Sequence, residues 1–421
     1  MKYNFLLHLH PQKIKSDAIK FNITFGLGGM AALLFVIQLI TGLLLKFHYI
    51  PNPVGAYESI LNIENNLFFG QLLRNLHHWS AILLIWITFL HLLRIVFTGA
   101  FYPPRHGSWY LGIGLIILVI ISNFTGYLLV WDQLSYWAIT ISTSLIGYIP
   151  LFGYQLKEFL LAGNTINEQT LSNFYNLHTG FMPVVMLLLM SWHFWKIRKA
   201  GGVILSEKAK NSQSIDVNPH LIVREMVVAL ALLAFLLILS ALFDANLQEK
   251  ANPYDSPNPT KAPWYFMGFQ EMLIHFHPSM VINVFPAFIL TFFIWMPFSK
   301  FDENKSGVWF SSINGKKVVI LFSILSLLVC LLIVITEQLI IDANDSLTNT
   351  PVWIGNGVLL FLILVLLFGS LIFTAFKRFN LSALEGIQVI IASLSVVYIV
   401  FSITGIFFRG QGMQLMWPWQ F

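Results

Sequence analysis

Two stretches decide how this chain folds: LHHWSAILLIWITFLHLLRIVFT, from Leu76 to Thr98, and LHTGFMPVVMLLLMSWHFW, from Leu177 to Trp195. Each is about as long as a helix crossing a hydrocarbon core of roughly 30 Å. Each is apolar almost throughout and carries a histidine near either end. His77 and His91 are fourteen residues apart, His178 and His193 fifteen. At 100° and 1.5 Å per residue these spacings turn by about −40° and +60°, so each pair shares roughly one helix face, with its members about 21 to 23 Å apart.

The rest of the chain has the same solvent. Of 421 residues 57% are apolar and 10% are charged, against about 25% charged in an average soluble protein, and the mean hydropathy is +0.74. That excludes a soluble enzyme. Nine stretches are long and apolar enough to span: Ile23–Leu45, Leu76–Thr98, Trp109–Trp131, Leu177–Trp195, Val227–Phe243, Met280–Phe298, Val318–Thr336, Val352–Phe376 and Ile387–Phe408. The expected fold class is an all-α integral membrane protein. Arg94 is the one charged residue inside these stretches. The N-terminal MKYNFLLHLHPQKIKSDAIK lacks a secretory-signal pattern, so the first span is expected to be retained.

With the N-terminus inside, 18 basic residues fall inside and six outside (Lys46, Arg74, Lys157, Lys250, Lys261, Arg409). This split predicts N-in, C-out topology and makes the net charge of +5 a topological signal rather than a nucleic-acid footprint. Two outside connections are long, Ser135–Asn176 and Asp244–Ser279; the first holds a possible interfacial helix, Tyr136 to Ile149, and the second the Pro-rich NPYDSPNPTKAPWYF. The polar SEKAKNSQSIDVNP reads as a linker, so a division into 1–205, 206–220 and 221–421 is expected, with four helices before the linker and five after it.

The second and fourth spans run in the same direction, so His77 is level with His178, and His91 with His193. A lone histidine in a membrane helix is more often a helix contact or proton relay. Four at matched depths instead predict two bis-imidazole sites, which suit haem iron and electron transfer. The single cysteine, Cys330, excludes a CxxCH attachment and a four-cysteine cluster within this chain. Gly28 and Gly42, and Gly112 and Gly126, repeat the fourteen-residue period and provide room for a flat macrocycle close to the backbone.

RNLHHWSA, FLHLLR, TGYLLVWDQ, FYNLHTGFMP and SWHFWKIRK together resemble the cytochrome b family, the quinol-oxidising core of cytochrome bc and b6f complexes. The resemblance covers about Phe21 to Lys199, and the fourteen-then-fifteen spacing is similar to the b6-type branch. It implies that His77 and His178 ligate an outer-side b haem, and His91 and His193 an inner-side one. It implies that Arg74 pairs with a haem propionate, and that Arg94 and Arg198 lie among the inner cofactor-binding residues. It further implies quinone, a Rieske-type iron–sulfur protein and a c-type cytochrome as partners in a dimeric multisubunit complex of a bacterial inner membrane, working by a proton-translocating Q cycle. Lys199, His220 and Arg224 also lie near the inner face, where positive-inside anchoring explains the basic residues equally well.

Two positions depart from the family. Gly26 stands where b6-type relatives carry the cysteine that attaches an extra haem, so no covalent haem is expected. The outer quinone motif Pro-Glu-Trp-Tyr reads Ala262, Pro263, Trp264, Tyr265, without its glutamate. Tyr127, the stretch Tyr136 to Thr143, and Pro263 to Phe266 are the expected lining of the outer site. Glu271 is the nearest downstream carboxylate for proton removal, against a plain reading as a loop charge; His275 and His277 read as exposed loop histidines, and Asp132 as a structural cap. The competing classes are a dihaem membrane anchor for a dehydrogenase or reductase, disfavoured by the PWYF loop, and a haem-free transporter, disfavoured by the nearly charge-free spans.

Overall fold

The computed structural model describes residues 12–300, 306–341 and 357–420. Among them are nine helices long and apolar enough to cross a bilayer: Leu27–Lys46, Gly70–Phe97, His106–Leu128, Glu168–Lys199, Val217–Leu242, Met280–Phe298, Ile313–Glu337, Val358–Phe379 and Ala383–Phe407. With the family shown below, the chain is an all-α integral membrane protein. Helices are the form such spans must take, since hydrocarbon offers no partner to an unpaired amide. Several ends move by a few residues from the sequence expectation because polar signals set them. Ser382 and Glu385 close a capping box that starts the ninth span at Ala383. Left-handed Gly357 and Asn380 bracket the eighth; residues 352–356 of its expected start lie outside the described residues.

The chain forms two compact units that do not follow its linear order. The first comprises Met1–Val130, Phe174–Leu247 and Asp302–Trp309; the second comprises Trp131–Asn173, Gln248–Phe301 and Phe310–Phe421. The fifth span therefore belongs with the first four, unlike the division at 205 and 220 expected from sequence. The reason is packing: Leu232 and Leu236 of that span are buried with Leu34, Phe35, Leu84, Val119 and Met186 in one apolar core. Asn75 of the second span also donates to the Ser240 carbonyl and to Asp244 (both 2.9 Å) and accepts from the Ala245 amide. The expected linker is ordered: it contains the short helix Glu207–Lys210, and Ser214–Asp216 pairs antiparallel with Lys13–Lys15.

In the second unit the interfacial helix is present as Gln133–Ile146. Asp132 caps it, accepting from Ser135 N (2.9 Å) while Ser135 Oγ accepts from Asp132 N, and its other oxygen accepts from Gln248 N at 3.1 Å. Further along, Trp264–Phe266 forms a 3-10 turn and Met267–His275 a helix. This short helix lies tightly on the ninth span, where a Cβ on Gly405 would come within 2.8 Å of Met267 and one on Gly268 within 2.8 Å of Tyr398. Asp132→Ala is expected to lose about 0.5–2 kcal/mol of capping and to raise hydrogen exchange across Gln133–Ile146. Unchanged protection there would contradict this account.

Candidate functional site

In the first unit each of the four histidines rests on one of the four glycines. A Cβ added at Gly28 would lie 3.4 Å from His91 Cε1, at Gly42 3.1 Å from His77, at Gly112 3.4 Å from His193, and at Gly126 2.5 Å from His178. At Gly126 and Gly42 the imidazole occupies space that a side chain would need, and at Gly28 and Gly112 it stands at ordinary contact distance from it. The first span packs on the second in this way, and the third on the fourth. His77 and His178 face one another with ring centroids 6.3 Å apart and planes at 80°. His91 and His193, further along the same two spans, rest on Gly28 and Gly112 as the second pair. Fourteen residues along the second span separate the two tiers by about 21 Å.

Hydrogen bonds orient the rings. Thr41 donates its hydroxyl to the Ile37 carbonyl (2.7 Å) and so accepts from His77 Nδ1 (2.9 Å). His178 Nδ1 donates to the Ser122 carbonyl, four residues before Gly126, at 2.9 Å. His193 Nδ1 is turned toward the corresponding carbonyl, Ser108, without reaching hydrogen-bond geometry. With Nδ1 carrying the proton, Nε2 keeps its lone pair for a metal. His77 and His178 would be the residues to hold a metal between them, and their 6.3 Å ring separation leaves space for a single ion. Among the described residues no three or more His, Cys, Asp or Glu side chains converge on a metal position. Each pair therefore suits a metal whose remaining ligands come from a planar macrocycle. The residues present fit haem.

One element was not legible in the sequence. Leu177–Phe181, which contains His178, is a π-helical turn, and Met182 N bonds Leu177 O five residues back. A π turn accommodates one extra residue relative to an α-helix. The fifteen-residue spacing of His178 and His193 thereby recovers the register of the fourteen-residue pair, removing the +60° versus −40° mismatch that ideal helices would give. The apolar core lies midway between the tiers. Leu84 is seven residues from His77 and His91, Phe35 seven from Gly28 and Gly42, and Val119 seven from Gly112 and Gly126.

The arginines differ. Arg94 is buried three residues after His91; its Nε donates to Ile23 O (3.1 Å), but one terminal nitrogen has no partner. Arg74, three residues before His77, is buried and bonded to Glu64 and to the Ala245 and Asn246 carbonyls (2.8 and 3.0 Å). The propionate expected of Arg74 would share its guanidinium with these partners. Arg198 is exposed at the end of the fourth span. Arg224 donates to Ile19 O at 2.9 Å, and His220 is exposed.

Tyr127 belongs to the first unit, and Pro263, Trp264, Tyr265 and Glu271 to the second. Glu271 and His275 are not exposed loop residues: their side chains are 0% and 1% accessible. Arg409 grips the Glu271 carboxylate with Nη2 at 2.6 Å and Nε at 3.0 Å, and His275 Nε2 lies 3.3 Å from it. Burial pushes the carboxyl pKa up, but the bonds from His275 and Arg409 outweigh burial and hold it below the usual range. A carboxylate clamped in this way is a poor proton acceptor on its own. Arg409 also reaches Glu337 at 3.3 Å, and neither partner was evident from sequence. Arg409→Leu would strand two buried carboxylates. It is expected to cost about 3–5 kcal/mol, visible as a lower thermal midpoint of the detergent-solubilised protein; an unchanged midpoint would argue that the pairing contributes nothing.

Comparison with known proteins agrees with this geometry. The family model described as Cytochrome b/b6/petB matches residues 13–201. Over 180 residues the chain is 42% identical to cytochrome b6 of Heliomicrobium gestii and 39% identical to that of Cyanidium caldarium, covering 43% of this chain and 84% of each relative. A solved chain titled "Hyperthermophilic respiratory Complex III" superposes with a TM-score of 0.65 at 20% identity over 94% of this chain and 92% of its own. That likeness concerns fold and extends through the C-terminal half. On the strength of its N-terminal half, the chain belongs to the cytochrome b/b6 family of haem-binding electron-transport proteins.

Proposed function

We propose that this chain is the dihaem cytochrome b subunit of a quinol:cytochrome c, or other high-potential acceptor, oxidoreductase. The observation that carries the reading is the fourfold glycine–imidazole contact in two tiers. His77 and His178 would hold one non-covalent b haem, and His91 and His193 the other. Bis-imidazole haem, when bound, supplies one-electron transfer with no open ligand position. The chain's own residues do the positioning: Thr41 and Ser122 fix two rings by their Nδ1 atoms, and the glycines let the rings seat. The unpartnered nitrogen of Arg94 supports a propionate contact in the His91–His193 tier; Arg74 and Arg198 would serve the same anions from their respective ends.

Gly26 supports a count of two haems with no covalent third. Its φ is +67°, and a Cβ there would come within 3.0 Å of Val228, so the position is a poor one for a cysteine. Quinol would be oxidised on the outer side, with Pro263, Trp264 and Tyr265 the candidates in the second unit and Tyr127 the candidate in the first, and quinone reduced near the inner face, in a proton-translocating Q cycle. The partners would be a Rieske-type iron–sulfur protein and a c-type cytochrome in a dimeric complex. The distribution of basic residues supports an inside N-terminus and an outside C-terminus in a bacterial inner membrane.

The test is a reduced-minus-oxidised spectrum with haem quantification on the purified protein. Two non-covalent b haems are expected, and none would overturn the reading. The glycines provide a graded series, because the Cβ clearances run from 2.5 Å at Gly126 through 3.1 Å at Gly42 to 3.4 Å at Gly28 and Gly112. Gly126→Ala is expected to lose most of the His77–His178 haem and Gly42→Ala a part of it, while Gly28→Ala and Gly112→Ala stay near wild type. Equal losses at all four positions would contradict the steric argument.

A further inference from the structure

The second unit buries a charged cluster that the family's motif does not contain. Glu271 and His275 come from the helix Met267–His275, Glu337 from the helix Ile313–Ile341, and Arg409 from just beyond the ninth span. Arg409 bonds both oxygens of Glu271, one oxygen of Glu337 (3.3 Å) and the Met413 carbonyl (3.0 Å). His275 reaches Glu271 (3.3 Å), and its ring stacks on Phe401 at 5.4 Å. Among the described residues the second oxygen of Glu337 is buried without a hydrogen-bond partner. Tyr398 and Lys261 donate to backbone carbonyls, of Tyr265 and of Ile406 (2.9 Å); of the other titratable groups on these elements, Cys330 is buried beside Val334 and Phe401, and Lys316, Lys317 and Glu385 lie at the opposite ends of their helices, where Glu385 accepts from Ser312.

The charges in this cluster do not cancel. Two carboxylates and one guanidinium leave one negative charge in a poorly solvated site, so one proton is needed on the imidazole or on a carboxylate for neutrality. Glu271 is a poor holder of that proton because Arg409 and His275 keep it ionised. The acceptors left are the His275 imidazole beside Glu271 and the Glu337 carboxylate, whose second oxygen has no hydrogen-bond partner among the described residues. The cluster is also tied to the position where the motif glutamate is missing. Gln270, next to Glu271, accepts from the Ala262 amide and donates to the Thr260 carbonyl (both 2.7 Å). Tyr398, on the span leading to Arg409, holds the Tyr265 carbonyl.

We propose that the His275–Glu271–Arg409–Glu337 cluster replaces that glutamate as the proton relay of quinol oxidation; this rests on the function proposed above. The two quinol hydroxyl O–H bonds break in turn: each proton joins the anionic cluster at His275 or Glu337, making it neutral, and one electron passes with it to an acceptor of the proposed reaction. Each proton then leaves to bulk water, restoring the anionic cluster before the next transfer, so that two protons and two electrons leave per quinol and quinone is the product. Glu271 and Arg409 are positioning residues, and the Glu271 carboxylate holds the imidazole in place.

The experiment uses the intact, haem-loaded complex, assayed for quinol oxidation across a pH series. Wild-type turnover is expected to rise with pH through one ionisation, as the cluster becomes able to accept. Glu337→Gln leaves the Arg409–Glu271 pair neutral by itself, so the fold should survive. His275→Gln removes the imidazole. Both are expected to lower turnover by roughly a hundredfold and to flatten the rising limb without loss of either haem, and Glu337→Asp is expected to restore the limb. Should His275→Gln fail to assemble, Glu337→Gln decides alone. Wild-type turnover and an unchanged pH limb in Glu337→Gln would overturn the relay. A wild-type complex holding both haems yet oxidising no quinol would instead overturn the function on which it rests.

Discussion

An imidazole ring lying where a side chain is missing is the contact on which the first unit depends, and it occurs four times. It joins different helices, and where it is tightest it tolerates no substitution on the glycine side: a single methyl group at Gly126 would stand 2.5 Å from His178. Once His77 and His91 are seated on Gly42 and Gly28, the first span is fixed against the second in depth, rotation and direction. The third and fourth spans are fixed in the same way. What remains between the tiers must then be filled, and Phe35, Leu84, Val119 and Met186 fill it together with Leu232 and Leu236 from the fifth span. That requirement explains why the fifth span belongs to this unit although the polar segment before it suggests a boundary.

Low dielectric governs the polar groups as strictly as sterics govern the rings. Within the described residues, the buried charges generally occur with partners: Arg74 with Glu64, and Arg409 with Glu271 and Glu337. Where a buried donor is left over it is informative, because an unmade hydrogen bond costs about 1–3 kcal/mol and more for a charged group. The terminal nitrogen of Arg94 is such a donor, one turn from His91. The unmatched oxygen of Glu337 is its acidic counterpart in the second unit.

Much of this was legible in the sequence, for physical reasons. A bilayer demands about 20 apolar residues per helix, so spans are readable from composition, and charge-free spans make each histidine conspicuous. The glycine period was visible because each of its members answers a histidine on a neighbouring helix. Long-range pairing was not legible: Glu271 and Arg409 are 138 residues apart and leave no local pattern. Nor was the π turn at Leu177–Phe181, since no residue type marks it and ideal-helix arithmetic assumes it away. His275 was misread because a loop flanked by aromatics suggests exposure, whereas the short helix carrying it packs through Gly268 and Gly405 onto the ninth span.

The two halves of the chain resemble known proteins unequally, and the constraint on each half accounts for the difference. The family model matches residues 13–201, where helix positions are dictated by rings that must meet glycines. The fold likeness extends over 94% of the chain, but at 20% identity. In the second unit the helices are held largely by apolar burial and close small-residue packing, which many sequences can satisfy. A chemical group there can be moved to another element while the fold persists. The absence of a glutamate at Pro263, beside a buried carboxylate–imidazole–guanidinium cluster tethered to the same segment through Gln270, is a change of that kind.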